Sequence, residues 1–135
     1  MQITEVCLRS EAGLRDADGD SPDWIELYNA GTESVSLDGW YLSDDPEEPA
    51  RWRIPDIALA PGEYYIIFAS GKNRTQGELH TDFALSAGES VILTTPIGST
   101  ADRVELTQTE PDASLARIGS DWRECASPTP GKANG

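Results

Sequence analysis

Asp16-Ala-Asp18-Gly19-Asp20-Ser-Pro22-Asp23-Trp24-Ile25-Glu26-Leu27-Tyr28-Asn29 is the stretch on which the reading of the fold turns. Its first half sets four carboxylates on a short loop containing Gly19 and Pro22, residues whose backbones favour turns. Its second half alternates. Ile25 and Leu27 face one way while Trp24, Glu26 and Tyr28 face the other, which is the period of a half-buried β-strand. A loop of that kind either gathers a hard cation or stands solvated, because unneutralised carboxylates this close repel one another.

Outward from that strand the same grammar repeats. Short β-type runs alternate with turns, and no window places apolar residues at helical spacing over three turns. The predicted strands are Gln2–Arg9, Trp24–Asn29, Ser34–Leu37, Trp40–Ser43, Trp52–Ile54, Tyr64–Ser70, Ser90–Thr94, Arg103–Leu106 and Ser114–Arg117. Asp38-Gly39 and Pro61-Gly62 are strong turn dipeptides. Tyr64-Tyr-Ile-Ile-Phe-Ala69 is apolar on both faces and so reads as a central strand. Nothing supports βαβ units. The expected fold is all-β, an immunoglobulin-like sandwich of about eight short strands with its first and last strands as neighbours. Residues 1–126 form the domain, and the Pro/Gly-rich residues 127–135 read as a C-terminal tail or linker.

The 135 residues suffice for one domain with a real core. No apolar run approaches the ~20 residues that span a bilayer, so membrane insertion is not expected. The start, Met1-Gln-Ile-Thr-Glu-Val6, has neither the basic residues nor the apolar stretch of a signal peptide. The net charge is −14, and it is unevenly spread: residues 16–48 hold 11 acidic side chains and no Lys or Arg. Nucleic acid and anionic membranes, which recruit basic patches, are thereby disfavoured as partners. Adaptation to high salt is a second reading of the same acidity.

Two cysteines and one histidine are too few for a zinc site. Cys7 and Cys125, near opposite ends of the chain, are a candidate disulfide that would contribute on the order of 4–5 kcal/mol in a chain-entropy model. The alternative is two unpaired buried thiols.

Trp24-Ile-Glu-Leu-Tyr-Asn29-Ala-Gly31, then Val35-Ser-Leu37-Asp-Gly39-Trp40-Tyr-Leu42-Ser-Asp44-Asp45, resembles the lamin tail domain. That is the immunoglobulin-like domain at the end of nuclear lamins, found also in bacterial and archaeal proteins. Trp52-Arg-Ile-Pro55, Leu59-Ala-Pro-Gly62, Ile67-Phe-Ala-Ser-Gly71 and Leu79-His-Thr-Asp-Phe83-Ala-Leu85 extend the likeness. Ser127-Pro-Thr-Pro-Gly131 is similar to the ending of prokaryotic members. The resemblance implies an immunoglobulin-like sandwich without catalysis, serving as an interaction or spacer module in a larger secreted or surface protein. It implies a protein or cell-surface partner and an extracellular or cell-surface location within a longer chain. The basic flank and coiled-coil rod of nuclear lamins are missing, so nuclear partners and DNA binding do not carry over.

Asp16, Asp18 and Asp20 match the first, third and fifth positions of an EF-hand loop, but Gly19 is at the fourth position and Leu27 at the twelfth. The motif fails while the chemistry stands: Asp16, Asp18, Asp20 and Asp23, with Glu26 from the strand, are candidate oxygen ligands for Ca²⁺. A solvated turn is the alternative. Asp44, Asp45, Glu47 and Glu48 form a second acidic loop that reads as solvated. Trp24, Tyr28 and Trp122 are the aromatics that a carbohydrate-binding module would present in a row; otherwise they pack beneath loops or Arg side chains. His80, with Asp82 or Ser86 nearby in sequence, lacks the nucleophile–base–orienter pattern of covalent catalysis. Clustered loop carboxylates also do not resemble a glycosidase pair. The reading is a non-catalytic module, with Ca²⁺ as the one cofactor its acidic loop would take.

Overall fold

The computed structural model describes residues 1–134, and among them there are eleven strands and no helix. They are β1 (Gln2–Cys7), β2 (Asp23–Tyr28), β3 (Val35–Ser36), β4 (Tyr41–Ser43), β5 (Trp52–Arg53), β6 (Ala58–Leu59), β7 (Tyr64–Ala69), β8 (Ser90–Thr94), β9 (Thr100–Glu105), β10 (Ser114–Ile118) and β11 (Asp121–Cys125). One sheet runs β11-β10-β1-β2-β7, a second β5-β4-β8-β9, and β3 pairs with β6 in a short ribbon. All named pairings are antiparallel. The expected immunoglobulin-like sandwich is the fold.

Alternation builds the core between the sheets. Ile3 and Val6 from β1, Ile25 and Leu27 from β2, and Ile67 from β7 meet Leu42 from β4 and Val91 and Leu93 from β8, all fully buried. A register shift in β1 between Ile3 and Glu5 lets Ile3 and Val6 face the same side although they are three residues apart. Asn29 then fastens β2 to the ribbon: its buried amide donates to Glu33 O at 2.8 Å and Leu59 O at 2.9 Å.

Four expectations need correction. β7 is an edge strand of its sheet, not a central one. It is apolar on both faces because Phe68, on the outer face, packs with Trp24 and Cys7 in a second small core roofed by Leu14. Second, Ser114–Arg117 (β10), the last strand expected, does lie beside β1, but a further strand, β11, follows it and lies beyond it, so that β10 separates β1 from β11. Third, that separation rules out the disulfide: two strand spacings put Cys7 and Cys125 about 10 Å apart, beyond the ~7 Å Cα limit of a bridge, and both thiols are free. Fourth, residues 127–134 do not stand off the domain as a linker. They fold back over the outer face of the five-stranded sheet, where Thr129 N and Gly131 N donate to Glu5 and Glu26.

The Asp38-Gly39 turn forms, with Trp40 N bonded to Leu37 O at 3.0 Å. It is a corner and not a hairpin, because β3 and β4 on either side belong to different sheets.

Candidate functional site

Asp16 organises the acidic loop from inside. Its side chain is fully buried, and its Oδ1 accepts the backbone N–H groups of Asp18 and Asp20, each at 3.0 Å. Asp16 N bonds to Asp20 O at 2.8 Å and Gly19 N to Asp16 O at 3.0 Å, closing a tight turn in which Gly19 takes φ +86°. A side chain there would strain the backbone. The loop is thus shaped by its own Asp16 carboxylate, the usual behaviour of Asp in turns.

Its three carboxylates, buried Asp16 and the more exposed Asp18 and Asp20, converge on one ammonium. Lys72, just past β7, donates from Nζ to Asp16 Oδ2 at 2.5 Å, Asp20 Oδ2 at 2.8 Å and Asp18 Oδ2 at 2.9 Å. Arg74 adds a 2.6 Å bond to Asp18 Oδ2. Arg74 and then Lys72 hold the Asp18 carboxyl down at about 2. Burial opposes ionisation of Asp16, yet the Lys72 bond and the two N–H donors keep its carboxyl below the ordinary range. The three carboxylates raise Lys72 well above the usual lysine range, so it stays charged.

A second tie binds the loop to the segment after β7. Ala17 N donates to Glu78 Oε1 at 2.9 Å, and the same oxygen meets His80 Nε2 at 2.8 Å. His80 is wholly buried and stacks on Phe68 with ring centroids 5.2 Å apart. Its Nδ1 meets Ser70 Oγ at 2.7 Å, and Ser70 Oγ also accepts Lys72 N at 3.1 Å. Asp82 and Ser86 are not its partners. Ser70, His80 and Glu78 form a hydrogen-bonded chain, but its histidine is sealed beneath Phe68 and its hydroxyl caps the Lys72 backbone. The chain works as a brace, setting the height at which Lys72 meets the aspartates.

Of the five expected ligands, Asp16, Asp18 and Asp20 come together, with candidate ligand oxygens within 4.8 Å of one another. Asp23 does not join them. It accepts Ser10 N and Leu85 N, each at 3.2 Å, and burial raises its carboxyl. Glu26 is also elsewhere, buried on β2 with Thr4 Oγ1 at 2.7 Å. Asp16, Glu78 and His80 likewise bring ligand-type atoms within 4.8 Å, but here His80 is already engaged by Glu78 and Ser70. As arranged, Lys72 Nζ stands at the centre of the three aspartates, where a Ca²⁺ ion would have to sit. Lys72, Arg74 and Glu78 escaped the sequence reading. Lys72 is one of only two lysines in the chain, which was the available signal.

The second acidic loop is partly anchored. Asp44 is buried against Arg51 at 3.0 Å, while Glu47 and Glu48 are exposed. The aromatic row does not form. Trp24 is 1% exposed. Tyr28 stacks on Tyr64 with centroids 4.4 Å apart on the outer face, whereas Trp122 packs against the main core beneath the Arg117 guanidinium, 4.8 Å from its ring.

No curated protein and no solved structure matches the chain. A family model described as the Lamin Tail Domain matches residues 2–108, and the chain belongs to that family, whose members are non-enzymatic immunoglobulin-like domains.

Proposed function

We propose that this domain is a metal-independent interaction and spacer module of a larger secreted or surface protein, and that its acidic loop is the contact surface. The supporting observation is the Lys72 clamp. A loop carrying Asp16, Asp18 and Asp20 would collapse or splay if left to its own repulsion, and an internal ammonium holds it in one shape. Preorganised loops lose less conformational entropy on binding. Lys72 and Arg74 offset two of the three aspartate charges, and Asp20, two-thirds exposed, is the carboxylate turned most toward solvent. The loop's outward face keeps a small net negative charge centred on Asp20, and the matching partner is a protein or cell-surface component with a basic patch.

Ca²⁺ would have to expel Lys72 to enter, so the module keeps its shape without the ion. Glycan binding has less support, since Trp24 is inside and Tyr28 and Trp122 face opposite sides of the sheet.

Binding to an immobilised oligolysine peptide, followed across a salt series, tests this reading. Association that weakens with salt and with Asp20→Asn supports the loop as the contact surface. Binding indifferent to Asp20→Asn, or captured equally by neutral dextran, contradicts it.

A further inference from the structure

Glu5 and Glu26 stand directly opposite each other across the β1–β2 ladder, on the outer face of the five-stranded sheet. Both are completely shielded from solvent. Their partners are neutral donors. Glu5 accepts Ser114 Oγ at 2.5 Å and Thr129 N at 3.1 Å; Glu26 accepts Thr4 Oγ1 at 2.7 Å and Gly131 N at 2.7 Å. No ion pair among the described residues includes either glutamate. Arg117 on β10 is directed instead to Ile3 O at 3.0 Å and Asp102 at 2.6 Å.

The cover over this pair is the C-terminal segment. Pro130-Gly131 makes a turn closed by Lys132 N to Thr129 O at 3.1 Å, with Gly131 at φ +79°, the geometry of a type II turn. Asn134 pins its far end, donating from Nδ2 to Thr4 O at 2.7 Å and Arg117 O at 2.9 Å. Pro128 and Pro130 have no N–H, so the Thr129 and Gly131 amides are the donors that alternate with them toward the sheet. Ala116, across from Glu5 on β10, has only a methyl group and leaves room above the carboxylates. Beside the segment lies a cavity of ≈ 420 Å³ lined by Cys7, Leu14, Trp24, Pro128 and Pro130, among others.

We propose that residues 127–134 are a strap whose docking over the Glu5–Glu26 pair retains a proton, and that the strap lifts as that proton is lost with rising pH. Two like charges with no cation cannot both be kept out of water cheaply. With the strap down the pair keeps a proton, and with the strap lifted both carboxylates are hydrated and ionise. Burial, with the Glu5 charge adding to it, pushes the Glu26 carboxyl up to about 7, and burial raises Glu5 as well. The other titratable groups on this face are Cys7 on β1, Tyr28 on β2, Tyr64 on β7 and Arg123 on β11, which is exposed and one strand beyond Ala116 in the same register line as Glu5; burial lifts both Cys7 and Tyr64 further from ionising. Lys132 on the strap is exposed. The sign follows. A carboxyl raised in the docked state favours docking fully below its ordinary 4.5, and that advantage fades as pH climbs from 4.5 toward about 7. One linked proton changes the opening equilibrium by up to about tenfold per pH unit.

Amide hydrogen exchange of the whole chain, measured from about pH 5 to pH 8 and corrected for intrinsic rates, tests this directly. Opening at Thr129 and Gly131 should grow tenfold or more while Val91 and Leu93 in β8 hold steady, and Glu26→Gln should flatten the dependence. Strap amides as constant as those of β8, or a dependence that survives in Glu26→Gln, overturns the proposal. Should that variant not fold, the Glu26 side-chain carboxyl resonance of the unaltered protein decides. A midpoint tracking strap opening supports it, and one below about pH 5 overturns it.

Discussion

Lys72 and Asp16 lie 56 residues apart in the chain and meet at 2.5 Å, ammonium to buried carboxylate. This contact joins the loop before β2 to the segment after β7, strands that are already partners in the ladder. Three carboxylates that would suit a divalent ion share a lysine side chain, and the loop's order comes from within the protein.

Removing that lysine strands the charges. Lys72→Met leaves Asp16 buried with no cation and frees Asp18 and Asp20 to repel each other, so the melting temperature should fall by several degrees. The emptied trio then resembles a Ca²⁺ site, and added Ca²⁺ should restore part of the loss in this variant. Calorimetric scans of Lys72→Met with and without Ca²⁺ check both halves. An unchanged melting temperature would mean the clamp is ornamental.

Acid should loosen the same clamp. Asp18 is depressed to about 2 in the folded protein against an ordinary 3.8. Its contribution is therefore intact above pH 3.8 and disappears as pH falls toward 2. Asp18→Asn should lower stability at neutral pH and flatten this acid limb, as measured by melting temperature against pH. A limb of equal steepness in both proteins would assign the acid sensitivity to other carboxylates.

The thiols should behave as two separate groups. Cys7 is buried, and burial pushes it up to about 11, while Cys125 is half-buried near the end of an edge strand. Maleimide should label Cys125 quickly and Cys7 slowly, and reductant should leave the melting temperature unchanged. A mass two hydrogens short, restored by reductant, would contradict the strand order.

Trp24 and Tyr28, two strand positions of the same face, should respond differently to truncation. Trp24→Ala opens the small core shared with Cys7 and Phe68 and should cost about 3–5 kcal/mol. Tyr28→Ala removes a half-exposed ring stacked on Tyr64 and should cost about 1 kcal/mol. Urea unfolding of both variants gives the comparison, and equal losses would place Tyr28 in a core role it lacks here.

Much of this fold was legible in the sequence because alternation is a local signal. Ile25 and Leu27 declared β2, and Ser90–Thr94 was delimited to the residue. β6 was missed since its two residues, Ala58 and Leu59, are too few to show a period. β11 was missed although Gly119-Ser120 between two runs is a hairpin signal, and Gly119 takes φ +65° as such a turn requires. The edge position of β7 was hidden by Phe68, whose outward face packs with Trp24 and Cys7 beneath Leu14 of the loop between β1 and β2. The site was half legible. Loop composition named Asp16, Asp18 and Asp20, but whether a cation is a metal ion or a lysine depends on a contact 56 residues away. Asp23 and Glu26 were added by proximity in sequence, and strand alternation sent them to other partners.

Thermal unfolding of the unaltered protein in ~2 mM CaCl₂ against EDTA, at fixed ionic strength and with Mg²⁺ as control, tests the Lys72 clamp most directly. A specific site with a Kd near ~20 μM would add about 2.7 kcal/mol at that concentration, a shift of several degrees. With Lys72 holding the three aspartates, Ca²⁺ and Mg²⁺ should give the same small screening shift. A rise of several degrees with Ca²⁺ alone, abolished by Asp18→Asn with Asp20→Asn, would show that the ion displaces Lys72 and that the loop is a metal site after all.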